Sequence, residues 1–202
     1  MSLNHAGGFV RTSQARPAAD LQLYFCPIAY QKPAPGDKQV IQVGRADAFS
    51  ISGSPCRPKS RGFIRLRSAD PHAAPEIHPN FLAEEEDVAQ AIASFHFIRK
   101  LAQAPALAKI IDREDIPGEA LQRDDEIADY LRSTCYSIFH PVGTCRMGLD
   151  EGVAVVDHRL KVHGLEALRI ADASVFPSVT SGNTNAPAMM VGEMAAAAIL
   201  RS

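Results

Sequence analysis

The chain has 202 residues, 46% of them hydrophobic and 22% charged, with a formal net charge of −2. These totals describe an ordinary soluble globular protein, large enough for one core or for one large piece of a bigger enzyme. They give no charge-based reason to expect nucleic acid or an acidic membrane as a partner, and the longest apolar run, the seven residues from Met194 to Leu200, is far short of the roughly 20 that a spanning helix needs.

Residues 1–20 are small and polar without a period, and "MSLNHAGGFVRTSQ" lacks the apolar core of a signal peptide. "LQLYFCPIAY", Leu21 to Tyr30, predicts a buried strand, and "PAPGDK", Pro33 to Lys38, a turn. In "DAFSISGSP", Phe49, Ile51 and Gly53 alternate with serines at a strand's period; in "RGFIRLRS", Ile64 and Leu66 alternate with arginines. The two read as antiparallel strands around a "PCRPKS" connection. "DPHAAPEIHPN", Asp70 to Asn80, carries three prolines and is expected to be irregular.

The period then changes. From Glu84, the apolar positions Val88, Ile92, Phe95 and Ala102 fit a helix, with Phe97, Ile98 and Leu101 widening its face. Acidic residues 84–87 open it and Arg99 and Lys100 close it, the charge order that suits the helix dipole. Asp124, Asp125 and Glu126 open a second helix with Ile127, Tyr130, Leu131 and Thr134 on its face. "VAVVDHRLKVHGLEALRIAD" reads as short strands about a turn at His163-Gly164. The last helix runs from Pro187 to about Leu200, the proline lying in its first turn. Without βαβ alternation, the order predicts an α+β fold, an antiparallel sheet packed with helices.

The four cysteines, Cys26, Cys56, Cys135 and Cys145, form no C-x-x-C pair and no zinc pattern, so no metal site is expected. Free thiols and the absence of an N-x-S/T site favour the cytoplasm or an organelle interior.

Two segments carry candidate chemistry. In "FHPVGTCRMG", Pro141 turns His140 away from helical geometry, Gly143 permits a bend, and an imidazole titrates near neutral pH, which suits proton transfer. A histidine buried in a loop core fits the same residues. In "TSGNTNAP", Asn183 offers donor and acceptor in one plane just before a helix whose N-terminus favours negative charge; Thr184 or Asn185 as a plain helix cap is the alternative. His72, His78 and His96 lack spaced partners, and His158 and His163 read as surface residues. A hydrolase using Ser181, His140 and Asp172 is weakly signalled, because no G-x-S-x-G occurs.

The segments "HPVGTCRMG" (140–148), "VVD" (155–157), "KVHGLEALRIADASVFP" (161–177) and "SGNTNAPAMMVGEMAAAAI" (181–199), in that order, resemble the C-terminal part of the glucose–methanol–choline (GMC) family of flavin-dependent alcohol oxidoreductases. "NHAGGFVR" and "KSRGFIRLRSADP" (59–71) resemble its choline-dehydrogenase-like branch. The resemblance covers nearly the whole chain. It implies FAD as cofactor and oxidation of a primary alcohol, choline-like or other, to an aldehyde by hydride transfer to flavin. It places His140 and Asn183 as the catalytic pair, and Asp172, Ala173, Thr184 and Asn185 along the cofactor.

A complete family member opens with a G-x-G-x-x-G dinucleotide-binding unit, and none of the 13 glycines here makes a G-x-G. The resemblance therefore implies a substrate-side domain at 1–135 and, at 136–202, active-site loops and segments that return to an FAD domain. The expected partners are a small-molecule alcohol and an N-terminal FAD-binding portion, with homo-oligomer formation through exposed apolar surface as a further expectation. The isolated chain is expected to retain FAD poorly and to be inactive. The alternative is a non-catalytic fragment or split-protein module that needs a separate flavin-binding chain.

Overall fold

The computed structural model describes residues 6–12, 17–31, 42–43 and 47–201. The turn expected at Pro33–Lys38 and the start of the "NHAGGFVR" match lie outside them. The fold is α+β, built from antiparallel sheets and helices, and the chain divides into two compact units, Met1–Pro55 with Val88–Leu131 and Cys56–Asp87 with Arg132–Ser202.

In the first unit, β1 (Ala6–Val10), β2 (Leu21–Cys26) and β5 (Ser50–Pro55) form a three-stranded antiparallel sheet in the order β1-β2-β5, with Leu23 opposite Gly8 and Gly53. A short pair, β3 (Tyr30–Gln31) and β4 (Gln42–Val43), is also antiparallel. The β2 strand ends at Cys26, since Pro27 cannot continue the ladder. Leu21 is fully buried. Gly53 makes room for the helix above it: a Cβ there would lie 2.8 Å from Leu21 Cδ1 and 3.2 Å from Ile98 Cδ1.

The long helix α1 (Glu85–Ala102) has the acidic start and basic end read from the sequence. Near its C-terminus, Arg99 forks onto Glu114 with two contacts of 2.9 Å and donates to the Gly118 carbonyl at 3.0 Å. Its guanidinium also lies 4.4 Å from the centre of the Phe95 ring. This bidentate, half-buried pairing ties the connection after the short helix α2 (Pro105–Ala108) back to α1. The next helix, α3 (Asp124–Thr134), buries Ile127 completely. His96, expected to lack a partner, has its Nε2 2.7 Å from Asp124 Oδ1 in the first turn of α3. The 28-residue separation hid that pair.

In the second unit two sequence expectations fail. The strand at 63–65 does not form a hairpin with β5. Instead β6 (Phe63–Arg65) pairs with β7 (Glu76–His78), inside the stretch expected to be irregular. Pro75 and Pro79 bracket a strand of three residues rather than interrupting it. The 153–172 region holds isolated bridges, Val156 with Met147 and with Val162, and Lys161 with Arg169, in place of the expected short strands. Its loops are organised by Asp157, whose Oδ1 accepts from the Arg159 and Lys161 N–H groups at 2.8 and 2.9 Å. Gly164 has a φ of 73°, as a tight turn there requires.

The core of this unit is Val156, Leu160, Val175 and Phe176 with Val191 and Ala195 of the last helix, α4 (Asn185–Ile199). Burying a valine as fully as Val156 or Val175 contributes about 1.5–3 kcal/mol. The rest of α4 is open: Met189, Met190, Met194 and Ile199 are each more than half exposed. No helix among the described residues is long and apolar enough to cross a membrane.

Two hydrogen-bond sets fix the loops of this unit. Asp87 is 6% exposed, and its carboxylate accepts from Lys59 N at 2.8 Å, from Ser60 N at 2.7 Å and from the Ser60 hydroxyl. In the second set, three alternate N–H groups, Gly143, Cys145 and Met147, donate to the successive carbonyls of Ala173, Ser174 and Val175 at 3.4, 2.9 and 2.8 Å. Ala173–Val175 is a single 3-10 turn, capped by Asp172 Oδ1, which accepts from Ser174 N at 2.7 Å. Gly143 has a φ of 87°, and a Cβ there would meet the Phe176 carbonyl oxygen at 3.1 Å.

Burial raises the Asp87 pKa, but the Ser60 hydroxyl, the Lys59 and Ser60 N–H groups and the Arg61 charge outweigh it and hold the carboxyl below its ordinary value. A depressed folded-state pKa adds stability above the unfolded value near 3.8 that is lost as pH falls through the folded one. Asp87→Asn should cost about 1.5–3 kcal/mol at pH 7 by urea denaturation, and its gap from wild type should close in acid below that value; a gap independent of pH would contradict this. Gly143→Ala should cost about 1–3 kcal/mol. Gly192→Ala, in the open middle of α4 with nothing within 4 Å of the new methyl, should instead stabilise by about 0.5–1 kcal/mol. Equal urea midpoints for those two variants would remove the backbone argument.

Candidate active site

The ladder between 143–147 and 173–175 carries the residue three positions upstream of it, His140, toward the start of α4. The approach is bent on both sides: Phe139 has a φ of 65° and Gly143 one of 87°. Phe139 is stabilised in that conformation by its N–H, which donates to Ser137 Oγ at 2.9 Å.

The half-buried His140 ring is held at both nitrogens. Nε2 lies 2.7 Å from Asn183 Nδ2, and Nδ1 lies 2.9 Å from Thr184 Oγ1. The structure therefore brings together His140 and Asn183, 43 positions apart, in one side-chain contact. Asn183 is exposed and Thr184 is buried, so the carboxamide faces solvent and the hydroxyl faces the interior.

Thr184 occupies the N-cap of α4 without a side-chain cap. The first helical bond at that end runs from Ala188 N to the Thr184 carbonyl at 2.9 Å. The N–H groups of the first turn precede any intrahelical acceptor, and they carry the positive end of the helix dipole. Asn185 is exposed there, with its Nδ2 3.7 Å from Met189 Sδ.

Asp172 and Ala173 stand at the turn that accepts the ladder. The Ser174 hydroxyl beside it and the Ser174 N–H hold the Asp172 carboxyl below its ordinary pKa, against a small opposing effect of burial. The carboxylate is exposed. The Ser174 hydroxyl is itself buried and reaches no partner of good hydrogen-bond geometry.

Other sequence expectations come out differently. Ser181, His140 and Asp172 do not assemble as a hydrolase triad: the Ser181 hydroxyl accepts from Arg57 at 3.1 Å, Asp172 caps its own turn, and the imidazole meets Thr184 and Asn183. His163 is not a surface residue. Its side chain is 17% exposed, and its Nε2 lies 3.1 Å from the Gly148 carbonyl oxygen. The side-chain contact of Thr184 with the imidazole was not foreseen. All four cysteines are free thiols, and no group of His, Cys, Asp and Glu among the described residues could hold a metal ion.

This geometry can be set beside known proteins. The chain is 43% identical over 196 residues to an alcohol dehydrogenase [acceptor] of Pseudomonas putida, covering 97% of this chain and 34% of that protein. It is 40% identical over 194 residues to an oxygen-dependent choline dehydrogenase of Klebsiella pneumoniae, covering 96% and 34%. The chain thus spans about a third of the length of the curated relatives it matches. Among solved structures, pyridoxine 4-oxidase from Mesorbium loti superposes with a TM-score of 0.86 over 99% of this chain and 38% of that one, at 23% identity, a likeness of fold. A formate oxidase gives a TM-score of 0.78 at 30% identity over 90% and 31%. The family model described as GMC oxidoreductase matches residues 58–192, from the loop that Asp87 anchors to the middle of α4, and the chain therefore belongs to the GMC oxidoreductase family.

Proposed function

We propose that this chain is the substrate-side and active-site portion of an FAD-dependent enzyme that oxidises a primary alcohol, choline-like or other, to an aldehyde. In this reading residues 1–135 form the substrate side, and 136–202 carry the active-site loops and the segments that adjoin the cofactor. The observation that supports it best is the 2.7 Å contact between His140 Nε2 and Asn183 Nδ2 beside the start of α4.

His140 is the base. An amide NH2 group can only donate, so Nε2 in that contact presents a lone pair. An alcohol whose hydroxyl takes the place of the Asn183 amide at Nε2 transfers its proton to that nitrogen as the carbon loses a hydride. The Asn183 carboxamide then donates to the oxygen on which negative charge develops, the kind of fixed donor that stabilises an oxyanion. FAD, when bound, supplies the hydride acceptor.

The chain's own residues fit part of that cofactor. The first-turn N–H groups at Asn185, next to Thr184, suit a negatively charged ring edge. The turn at Asp172 and Ala173 offers an exposed, acceptor-only carboxylate, which suits the hydroxyl groups of a ribityl chain. A glycine-rich cradle for the pyrophosphate has no counterpart in the sequence, so FAD retention is assigned to a further FAD-binding portion.

In the flavin-loaded enzyme, His140→Ala should slow alcohol-dependent flavin reduction by about 10²–10⁴-fold, and Asn183→Ala by about 10²–10³-fold. Rapid-mixing absorbance at the flavin band measures both, and a wild-type rate in the His140 variant would sink the assignment. The 202-residue chain alone should leave the spectrum of added FAD nearly unshifted; stoichiometric yellow protein after gel filtration would show that it holds the cofactor without help.

A further inference from the structure

We propose that the Thr184 hydroxyl is a positioning group that fixes which nitrogen of His140 carries the proton. The proposal rests on the reading of His140 as the base.

A threonine at an N-cap ordinarily turns its hydroxyl oxygen to the N–H two or three residues into the helix. In α4 those positions are Ala186 and Pro187. Pro187 has no N–H, so the third-position donor does not exist. Thr184 also departs from the extended backbone usual at a cap: its φ of −86° and ψ of −7° are helical. The hydroxyl makes no capping bond and lies 2.9 Å from His140 Nδ1, although Thr184 is 8% exposed. A local contact that most helix starts use has been exchanged for one 44 residues away in sequence.

The consequence follows from the donor and acceptor inventory. Nε2 faces an amide nitrogen, which donates, so Nε2 is the unprotonated nitrogen of a neutral ring. The ring proton then sits on Nδ1 and is donated to Thr184 Oγ1. The bond made by one ring nitrogen selects the state of the other. Without the hydroxyl, a proton on Nδ1 loses the acceptor that holds it there, and moving it to Nε2 removes the lone pair that an alcohol needs. When Nε2 takes the substrate proton, Nδ1 keeps its own, and the same bond to Thr184 holds the imidazolium in place.

The test reads the tautomer directly. In the 15N-histidine-labelled 202-residue chain, at a pH where the ring signals no longer move, long-range 1H–15N correlation spectra show which His140 nitrogen bears the proton. His140→Gln identifies the signal by its disappearance. Wild type and Thr184→Ser should show the proton on Nδ1. Thr184→Val, which keeps the shape and loses the hydroxyl, should show it on Nε2 in most molecules.

A wild-type ring protonated at Nε2, with the amide oxygen turned toward it, overturns the proposal, as does a Thr184→Val ring that stays protonated at Nδ1. If the valine variant does not fold, the wild-type spectrum alone decides. In the flavin-loaded enzyme, Thr184→Val should lower kcat about tenfold or more with KM unchanged, a change of about 1.4 kcal/mol in the barrier, and Thr184→Ser should restore it. Full activity in His140→Ala would remove the catalytic reading while leaving the tautomer result intact. Full activity in Thr184→Val with a shifted tautomer would remove the positioning role.

Discussion

Three alternate N–H groups meeting three consecutive carbonyls is the constraint on which the second unit depends. A 3-10 turn presents successive carbonyls along a compact arc. Gly143, Cys145 and Met147 reach Ala173, Ser174 and Val175 from a segment that is itself bent, with Gly143 at a φ of 87° and a turn at Thr144 and Cys145. The match sets the height of His140 above α4. It also needs Gly143, since a side chain there would press on the Phe176 carbonyl, and it needs Asp172, whose carboxylate closes the turn that offers the acceptors.

The remaining chemistry follows from that alignment. Val175 and Phe176 lie in the same core as Val191 and Ala195, so the turn and α4 are packed as one piece. His140 on one side and Asn183 with Thr184 on the other are then held to a common frame by apolar packing and backbone bonds. The polar contacts among these three residues are the product of that frame. Two side chains kept within hydrogen-bond distance by such a frame lose little further freedom when a third group joins them.

Where a local pattern settles local structure, the sequence was readable. The 3.6-residue period and charge order of 85–102 produce α1, the acidic triplet at 124–126 opens α3, and the alternation at 50–55 is a strand. Gly143 and Gly164 have the left-handed backbone their positions imply. Pairing was less readable, because it depends on residues far apart: β5 joins β2 and not β6, and β6 finds Glu76–His78 between two prolines. Between 153 and 172 the sequence alternates like strands, yet the backbone is shaped by Asp157 and by Leu160 at a φ of 63°, so bridges form without ladders. His140 and Asn183 stood out by their neighbours, whereas the Thr184 hydroxyl had an ordinary capping alternative. Only the proline three residues later in the chain separates the two uses.

The open face of α4 has a chemical consequence of its own. Met189, Met190 and Met194 present three thioethers to the surroundings, while Val191 and Ala195 on the other side of the same helix anchor the core. Peroxide would convert those sulfurs to sulfoxides and turn an adaptable oily stripe into a polar, chiral one. Because the anchoring residues Val191 and Ala195 contain no sulfur, such damage would change the polarity of the open face while sparing the contacts that hold α4 to the core.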